Sequence, residues 1–207
     1  SKRSCLTQLN PEEFDYILVD EAHRIGGETY QRVLNYFQPE FLLGMTATPE
    51  RMDDFNLFEM FDHNVAYEIR LQKALDEKML CPFHYIGITD YEKDGVVSDD
   101  TSSLKWLVSD ERVDYIIKQT TYYGYSGDCL HGLIFCSRKD EAYELADLMS
   151  KRGYPSKALT GETPQSKRDE VVDELEQGKI KYIITVDVFN EGIDIPCVNQ
   201  VVMLRNT

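Results

Sequence analysis

In Tyr16-Ile17-Leu18-Val19-Asp20-Glu21-Ala22-His23, four apolar residues are followed directly by two adjacent acids. The apolar run predicts a buried strand of a parallel sheet whose faces are covered by helices. Asp20 and Glu21 then fall at the carboxyl end of that strand, which is where open α/β sheets bind ligands. Two adjacent carboxylates can divide the work on a nucleotide, because one can hold Mg²⁺ while the other orients and deprotonates a water. Residue types and position together indicate a nucleotide site.

The pattern after this stretch predicts a strand–helix–strand unit. Apolar residues recur at helical spacing from Tyr30 to Phe37, and Phe41–Ala47 predicts the next buried strand. A connection of this length predicts a right-handed crossover in a parallel sheet. Further on, residues 71–80 predict a helix and residues 82–89 a strand. The polar, glycine-containing residues 90–103 predict a flexible connection.

The remainder of the chain alternates regularly between helix and strand. Such alternation predicts a parallel, doubly wound sheet, so the fold class is α/β. The predicted helices cover residues 110–123, 139–151 and 164–175, and the predicted strands cover residues 132–136, 156–159, 181–186 and 198–204.

Five segments carry a family resemblance. Val19–Arg24 (VDEAHR) and Leu42–Arg51 (LLGMTATPER) resemble motifs II and III of the superfamily 2 helicases and translocases, the DEAD/DEAH-type ATPases that depend on nucleic acid. His131–Met149 resembles motif IV with its helix, Ala158–Leu175 the next strand and helix, and Tyr182–Pro196 motif V. The segments FLLGMTATPERMD and LCPFHYIGITD resemble, more narrowly, a bacterial branch related to the helicase subunits of restriction systems.

The resemblance implies RecA-like parallel sheets flanked by helices. Residues 1–70 would be the C-terminal part of a first, ATP-binding domain, residues 71–103 a connecting segment with the polar loop, and residues 104–207 a nearly complete second domain. The sequence has no G-x-x-x-x-G-K-[ST] phosphate loop and no motif VI arginine segment before Thr207. We therefore expect an internal fragment of a larger helicase, which does not hydrolyse ATP measurably by itself.

The resemblance also assigns roles in the first domain. Asp20 would bind the Mg²⁺ of MgATP through water, and Glu21 would be the general base. His23 would couple hydrolysis to nucleic-acid binding together with Thr46-Ala47-Thr48. The alternative interpretation is that these residues only stabilise a helix N-terminus and a turn.

Further roles are implied in the second domain. The nucleotide cleft would be lined by Glu191, Gly192 and Asp194. Nucleic-acid phosphates would be contacted from strand ends and the helix that follows, where hydroxyls, small residues and backbone N–H groups suit an anion. Helix capping and solvent exposure are the alternative explanation for each residue. The predicted nucleic-acid contacts are Ser137, Arg138, Thr160, Gly161, Gln165, Arg168 and Thr185.

These roles imply an ATP-dependent helicase or translocase that uses ATP and Mg²⁺, with DNA favoured over RNA as its track. Two alternatives stay open from the sequence. The chain could be the motor of a restriction or nuclease system with a nuclease domain in the same parent chain. It could instead be a non-catalytic RecA-like module that binds nucleic acid or protein.

Composition sets further bounds. The 22 basic and 37 acidic residues give a net charge of −15, whereas nucleic-acid binders tend to be basic. We therefore expect weak, salt-sensitive binding made largely through backbone N–H groups and hydroxyls. The five cysteines form no C-x-x-C pair, which argues against zinc and disulfides and for a reducing cytoplasm. No apolar run approaches the roughly 18 residues that a membrane span requires.

Overall fold

The computed structural model describes residues 6–49, 56–99, 101–189 and 195–205, and the chain divides into two compact units, Ser1–His84 and Tyr85–Thr207. The division falls within the predicted connecting segment, whose bounds at 71 and 103 stay predictions. Within the described ranges, no helix has the length and apolar character needed to cross a membrane.

The first unit is built on a parallel strand pair. β1 (Tyr16–Val19) and β2 (Phe41–Gly44) pair with Tyr16 opposite Phe41, and helix α1 (Glu28–Tyr36) joins them. This confirms the predicted strand–helix–strand unit. A 3-10 turn (Ala22–Arg24) lies between β1 and α1, and a second 3-10 turn (Leu57–Phe61) and helix α2 (Leu71–Asp76) follow β2. Its core contains Val19, Ala22, Ile25 and Leu57, with Ile17, Leu34, Leu42, Met60 and Phe61 packed against them.

The prediction of fully buried strands was wrong for one face of this pair. Val19 is buried, but Tyr16 and Leu18 are 66% and 61% exposed and Phe41 is 49% exposed. Successive side chains of a strand point to opposite faces, and within the described part of this unit the apolar cluster covers only one face. β2 also ends at Gly44 instead of Ala47.

The predicted strand at residues 82–89 is absent, although the structure describes all eight positions. A strand needs a neighbour to accept its backbone hydrogen bonds, and none pairs with this stretch in the described chain. The predicted flexible connection is partly ordered. Strands β3 (Glu92–Lys93) and β4 (Val96–Val97) form an antiparallel hairpin, whose turn residues Asp94 and Gly95 have positive φ.

The second unit has a four-stranded parallel sheet in the order β6 (Ser156–Thr160), β7 (Tyr182–Val186), β5 (Gly132–Phe135) and β8 (Gln200–Met203). Parallel pairing and helix–strand alternation confirm the predicted α/β class. The remaining elements are α3 (Leu104–Leu107), α4 (Asp110–Tyr123), β5 (Gly132–Phe135), α5 (Lys139–Lys151), β6 (Ser156–Thr160), α6 (Gln165–Glu176), β7 (Tyr182–Val186) and β8 (Gln200–Met203).

Two apolar layers cover the faces of this sheet. All four residues of β5 and all five residues of β7 are buried, so these central strands lack the polar alternation of a half-exposed strand. One layer includes α4 and α5 residues such as Ile116 and Leu145, and the other includes α6 residues such as Leu175. Burial of each such aliphatic side chain stabilises the folded state by about 1.5–3 kcal/mol.

Candidate nucleotide and nucleic-acid sites

The turn after β1 is fixed by the continuation of the strand pairing. The Met45 N–H donates to the Val19 carbonyl at 2.9 Å, and the Ala22 N–H donates to the Met45 carbonyl at 2.8 Å. Asp20 and Glu21 are thereby placed between two anchored positions. Asp20 is exposed, and its Oδ1 accepts the Glu21 N–H at 2.9 Å.

Glu21 has an unusual backbone conformation. Its φ of 50° and ψ of 48° lie in the left-handed region, which costs a residue other than glycine about 1–3 kcal/mol. Such a conformation persists only where the surrounding contacts impose it, and here the hydrogen bonds of Val19, Ala22 and Met45 do so. This strain could not be predicted from the residue type, because glutamate is not typical of left-handed positions.

His23 joins the two predicted motifs of the first unit. Its Nδ1 lies 3.1 Å from Thr46 Oγ1 and 3.3 Å from Glu21 Oε2. Thr46 Oγ1 also accepts the Thr48 N–H at 3.1 Å. The structure thus brings Glu21, His23 and Thr46 into one chain of contacts, while Ala47 and the rest of Thr48 are exposed.

Close packing behind the turn depends on Gly44 at the end of β2. A Cβ at this position would lie 2.4 Å from Phe61 Cζ and 3.0 Å from Ala22 Cβ. On the other side of the turn, Gln31 Nε2 donates to the Ile25 carbonyl at 2.9 Å. Gly44, Phe61 and Gln31 were not among the site residues predicted from the sequence. A glycine within an apolar strand was the one available signal.

The donor set around Asp20 fits Mg²⁺. One exposed carboxylate is suited to an ion that keeps several waters and takes other ligands from nucleotide phosphates. Among the described residues, no group of three or more His, Cys, Asp and Glu side chains could form a protein cage for a metal. Asp20 would therefore hold Mg²⁺ in the company of water and phosphate oxygens.

In the second unit, Ser137 and Arg138 follow the end of β5. The Arg138 guanidinium donates to both carboxylate oxygens of Asp140, from Nε at 3.1 Å and from Nη2 at 2.7 Å, and from Nη1 to the Ser102 carbonyl at 3.4 Å. The hydrogen bond from Arg138 is the main reason that the pKa of Asp140 is lowered. Arg138 is half exposed, so its charge is available at the surface although a carboxylate already accompanies it.

The turn after β6 is held together by Arg168. The Thr160 N–H donates to Thr163 Oγ1 at 3.1 Å, and Arg168 donates from Nε to the Thr163 carbonyl at 2.8 Å and from Nη2 to the Gly161 carbonyl at 3.0 Å. Gln165 donates to the Asp169 carboxylate at 2.8 Å. In this structure Arg168 and Gln165 thus support their own turn and helix, and their predicted contacts with nucleic acid stay predictions.

The hydroxyl of Thr185 is committed inside the protein. Thr185 is fully buried, and its Oγ1 donates to the Val188 carbonyl at 2.9 Å. Asp187 and Phe189 in the same loop have φ values of 54° and 69°. A phosphate contact by Thr185, as predicted from the resemblance, requires that this loop release the hydroxyl. The predicted cleft residues Glu191, Gly192 and Asp194 lie outside the described residues.

Strand register brings the candidate turns to one edge of the sheet. Thr185 of β7 is opposite Phe135 of β5 and Leu159 of β6, so all three strands end together. Lys139, just after the β5 turn, contacts Glu162 of the β6 turn with Nζ and Oε1 2.5 Å apart. The grouping of the predicted nucleic-acid contacts at one edge is therefore a property of the fold.

A buried ion cluster that was not predicted from the sequence lies near this edge. Arg112 of α4 and Glu141 of α5 are both fully buried and pair through Nη1 and Oε1 at 2.9 Å, and Arg112 Nη2 pairs with Asp90 Oδ2 at 2.8 Å. Burial raises the pKa of Glu141 against the opposing charge of Arg112. Burial also raises the pKa of the neighbouring Cys136 thiol well above its usual range.

Two known protein families match the chain. Residues 112–207 match the Helicase conserved C-terminal domain, and residues 2–51 match the family of the Type III restriction enzyme, res subunit. The chain belongs to the superfamily 2 helicases. The order of the two matched segments agrees with the order of the DEAD/DEAH-type motifs, which confirms the resemblance read from the sequence.

Individual relatives agree with this family. The chain is 23% identical to the "Putative ATP-dependent helicase IRC3" of Saccharomyces cerevisiae over 98% of the chain and 31% of the relative. It is 30% identical to the "ATP-dependent RNA helicase SrmB" of Haemophilus influenzae over 47% of the chain and 22% of the relative. The chain thus spans less than a third of the length of either relative.

A solved structure agrees with the fold. The structure of Saccharomyces cerevisiae dbp5 bound to gle1 and ip6 superimposes with a TM-score of 0.53 at 18% sequence identity, covering 96% of this chain and 45% of that one. At this identity the likeness concerns the α/β, RecA-like fold alone.

Proposed function

We propose that this chain carries motor motifs of an ATP-dependent nucleic-acid helicase or translocase, in which hydrolysis of MgATP drives movement on DNA. The observation that carries the proposal is the contact chain Glu21–His23–Thr46, which ties the predicted catalytic acid to the second motif of the same unit. The match of residues 2–51 to a restriction-enzyme subunit supports DNA as the track. The likeness to an RNA helicase supports RNA as the second candidate.

Asp20 and Glu21 have different roles in this proposal. Asp20 would hold Mg²⁺ through water, and Mg²⁺, when bound, would neutralise charge on the transferred phosphate. Glu21 orients a water and accepts its proton at the carboxylate. The Glu21 side chain is 40% exposed, which leaves it open to water, and Oε2 lies 3.3 Å from His23 Nδ1. The fixed left-handed backbone of Glu21 sets the direction from which the carboxylate meets that water.

His23 and Thr46 act as positioning residues. A proton on His23 Nδ1 is donated to Glu21 Oε2 or to Thr46 Oγ1, so the imidazole can exchange partners without leaving its place. The Thr46 hydroxyl is held in turn by the Thr48 N–H. A change at the Thr46–Thr48 turn therefore reaches the general base through one side chain. This is the physical basis for coupling hydrolysis to nucleic-acid binding.

Contacts with nucleic acid are assigned to the strand-end turns of the second unit. Arg138 supplies a half-exposed guanidinium, and the Thr160-Gly161 turn supplies backbone groups near the start of α6. The net charge of −15 opposes a polyanion over the whole surface, so these few contacts must act locally. We therefore expect an affinity that falls steeply as salt is added.

The test is ATP hydrolysis by the whole protein, measured without nucleic acid and with duplex DNA, single-stranded DNA or RNA. DNA should stimulate turnover, and Glu21→Gln should reduce it by roughly 10²–10⁴-fold, the range that a general base supplies. Stimulation by RNA alone would replace DNA with the second candidate. Folded protein that binds nucleic acid but hydrolyses no ATP under any condition would refute the motor and support a binding module.

The coupling role has a separate test in Thr46→Ala, with Thr46→Ser as the matched variant that keeps the hydroxyl. Thr46→Ala should retain basal hydrolysis while strand separation or translocation per ATP falls, and Thr46→Ser should retain both. The two hydrogen bonds that the alanine removes belong to positioning, not to the chemical step. An ATPase rate that falls as far as in Glu21→Gln would contradict the assignment.

A further inference from the structure

The segment that enters the second unit is fastened to its interior by Arg112. Arg112 donates to both carboxylate oxygens of Asp90, from Nε at 3.3 Å and from Nη2 at 2.8 Å. Its Nη1 donates to the Leu107 carbonyl at 2.7 Å and to Glu141 Oε1 at 2.9 Å. A single fully buried guanidinium thus joins the segment before the hairpin to helices α3 and α5.

The other end of this cluster lies at the β5 turn. Glu141 lies in the first turn of α5, directly after Ser137 and Arg138. A second contact runs in parallel, because Arg138 Nη1 donates to the Ser102 carbonyl at 3.4 Å. Residues 85–103 therefore touch the proposed nucleic-acid turn twice, once through Asp90, Arg112 and Glu141 and once directly through Ser102.

Electrostatic attraction couples the positions of the three charged side chains of this cluster. One guanidinium serves two carboxylates, and Glu141 Oε2 is buried without a hydrogen-bond partner in the described structure. When Asp90 withdraws, Arg112 is left with Glu141 alone and is drawn toward it. Since Glu141 pairs with Arg112 and lies in the first helical turn after Ser137 and Arg138, a shift of Arg112 is transmitted to that turn. No exposed side chain has to take part.

We propose that Arg112 is a positioning residue that links Asp90 of the entering segment to Glu141 and the Ser137–Arg138 turn, so that displacement of the segment changes the affinity of the turn for nucleic-acid phosphate. The change in affinity for nucleic-acid phosphate rests on the proposed function, whereas the structural link from Asp90 to the Ser137–Arg138 turn does not. Through this cluster, the position of the Ser137–Arg138 turn depends on the position of the segment that contains Asp90.

The experiment is hydrogen–deuterium exchange of the whole protein, combined with binding of a fluorescent DNA oligonucleotide. Asp90→Asn removes the charge that holds the segment, and Asp90→Glu keeps a carboxylate. Asp114→Asn is the matched control. Asp114 is an exposed residue on the same helix as Arg112, and the substitution removes the same charge from its ion pair with Arg152. For Asp90→Asn we expect faster exchange in peptides covering 88–99 and 136–141, and an affinity weaker by about fivefold or more, a typical lower bound for coupled sites.

Each outcome decides a part of the inference. Faster exchange at 88–99 with no change at 136–141 would overturn the link, because Asp90 would then anchor its own segment only. Faster exchange at both with unchanged affinity would overturn the effect on binding. Wild-type protein that binds no nucleic acid would refute the proposed function, while the exchange of 136–141 would still decide the link. Partial restoration by Asp90→Glu, with Asp114→Asn unaffected, is the supporting result.

Discussion

Substituting alanine for Gly132 tests how tightly β5 packs against β7. Gly132 is opposite Tyr182 in the register, and a Cβ on it would lie 2.2 Å from both Cδ1 and Cε1 of the Tyr182 ring. Carbon atoms in contact are normally about 3.5–4.0 Å apart. The ring has little freedom to move, because Tyr182 is 1% exposed and its hydroxyl donates to Gln200 Oε1 at 2.6 Å.

Two opposing effects set the magnitude. Overpacking a core position costs about 1–3 kcal/mol. Glycine to alanine gains about 0.4–1 kcal/mol by restricting the unfolded chain, provided that the native backbone suits alanine. Since the φ of Gly132 is not positive, that gain applies, and the clash must exceed it. With the Tyr182 ring confined, we expect Gly132→Ala to destabilise the second unit by about 1–2 kcal/mol.

The assay is urea unfolding followed by the fluorescence of Trp106, the protein's one tryptophan, which lies in the second unit. The midpoint should fall without a change in slope. Gly87→Ala is the control, because a Cβ there meets nothing within 4 Å. In a Tyr182→Leu background the cost of Gly132→Ala should shrink, giving a coupling of about 0.5–3 kcal/mol. An unchanged midpoint, or equal costs in both backgrounds, would refute the reasoning.

Two further predictions concern Gly44 and Glu141. Gly44→Ala should destabilise the first unit by about 1 kcal/mol, less than the change at Gly132, because the atom it meets is the tip of the partly exposed Phe61 ring. Hydrogen exchange in peptides covering 16–25 measures this, and unchanged exchange there would contradict it. Burial raises the pKa of Glu141 above its ordinary value of 4.5, so the folded state retains a proton that the unfolded chain releases. Wild-type stability relative to Glu141→Gln should therefore fall as the pH rises from about 4.5 through the raised pKa, and a difference independent of pH in urea titrations would contradict this.

Much of the second unit was predictable from local signals. The helix at 110–123 was predicted with its observed bounds. Residue types typical of helix ends flank it: Ser109 Oγ accepts the Arg112 N–H, and Gly124 follows the last turn with a φ of 70°. The prediction of a strand at residues 82–89 was wrong, because an apolar pattern alone supplies no neighbouring strand for hydrogen bonding.

The candidate sites were predictable in place but not in detail. That the Thr46 turn lies beside the Asp20 turn follows from parallel strands ending at one edge, and the structure has His23 Nδ1 and Thr46 Oγ1 3.1 Å apart. The commitment of the Thr185 hydroxyl to Val188 was not predictable. A residue type indicates which hydrogen bonds a side chain can make, whereas the loop geometry decides which one it does make.

Local sequence patterns predicted most of the strands and helices, the α/β class and the two carboxylates at a strand end, because each of these depends on neighbouring residues. The exposure of Tyr16 and Leu18 and the burial of Arg112 between Asp90 and Glu141 depend instead on how distant segments pack. In the sequence, Arg112 is a charged residue in the first turn of an amphipathic helix, which predicts exposure to solvent. Its partners are 22 and 29 residues away, so the burial and pairing of its charge were fixed only when three separate segments packed together.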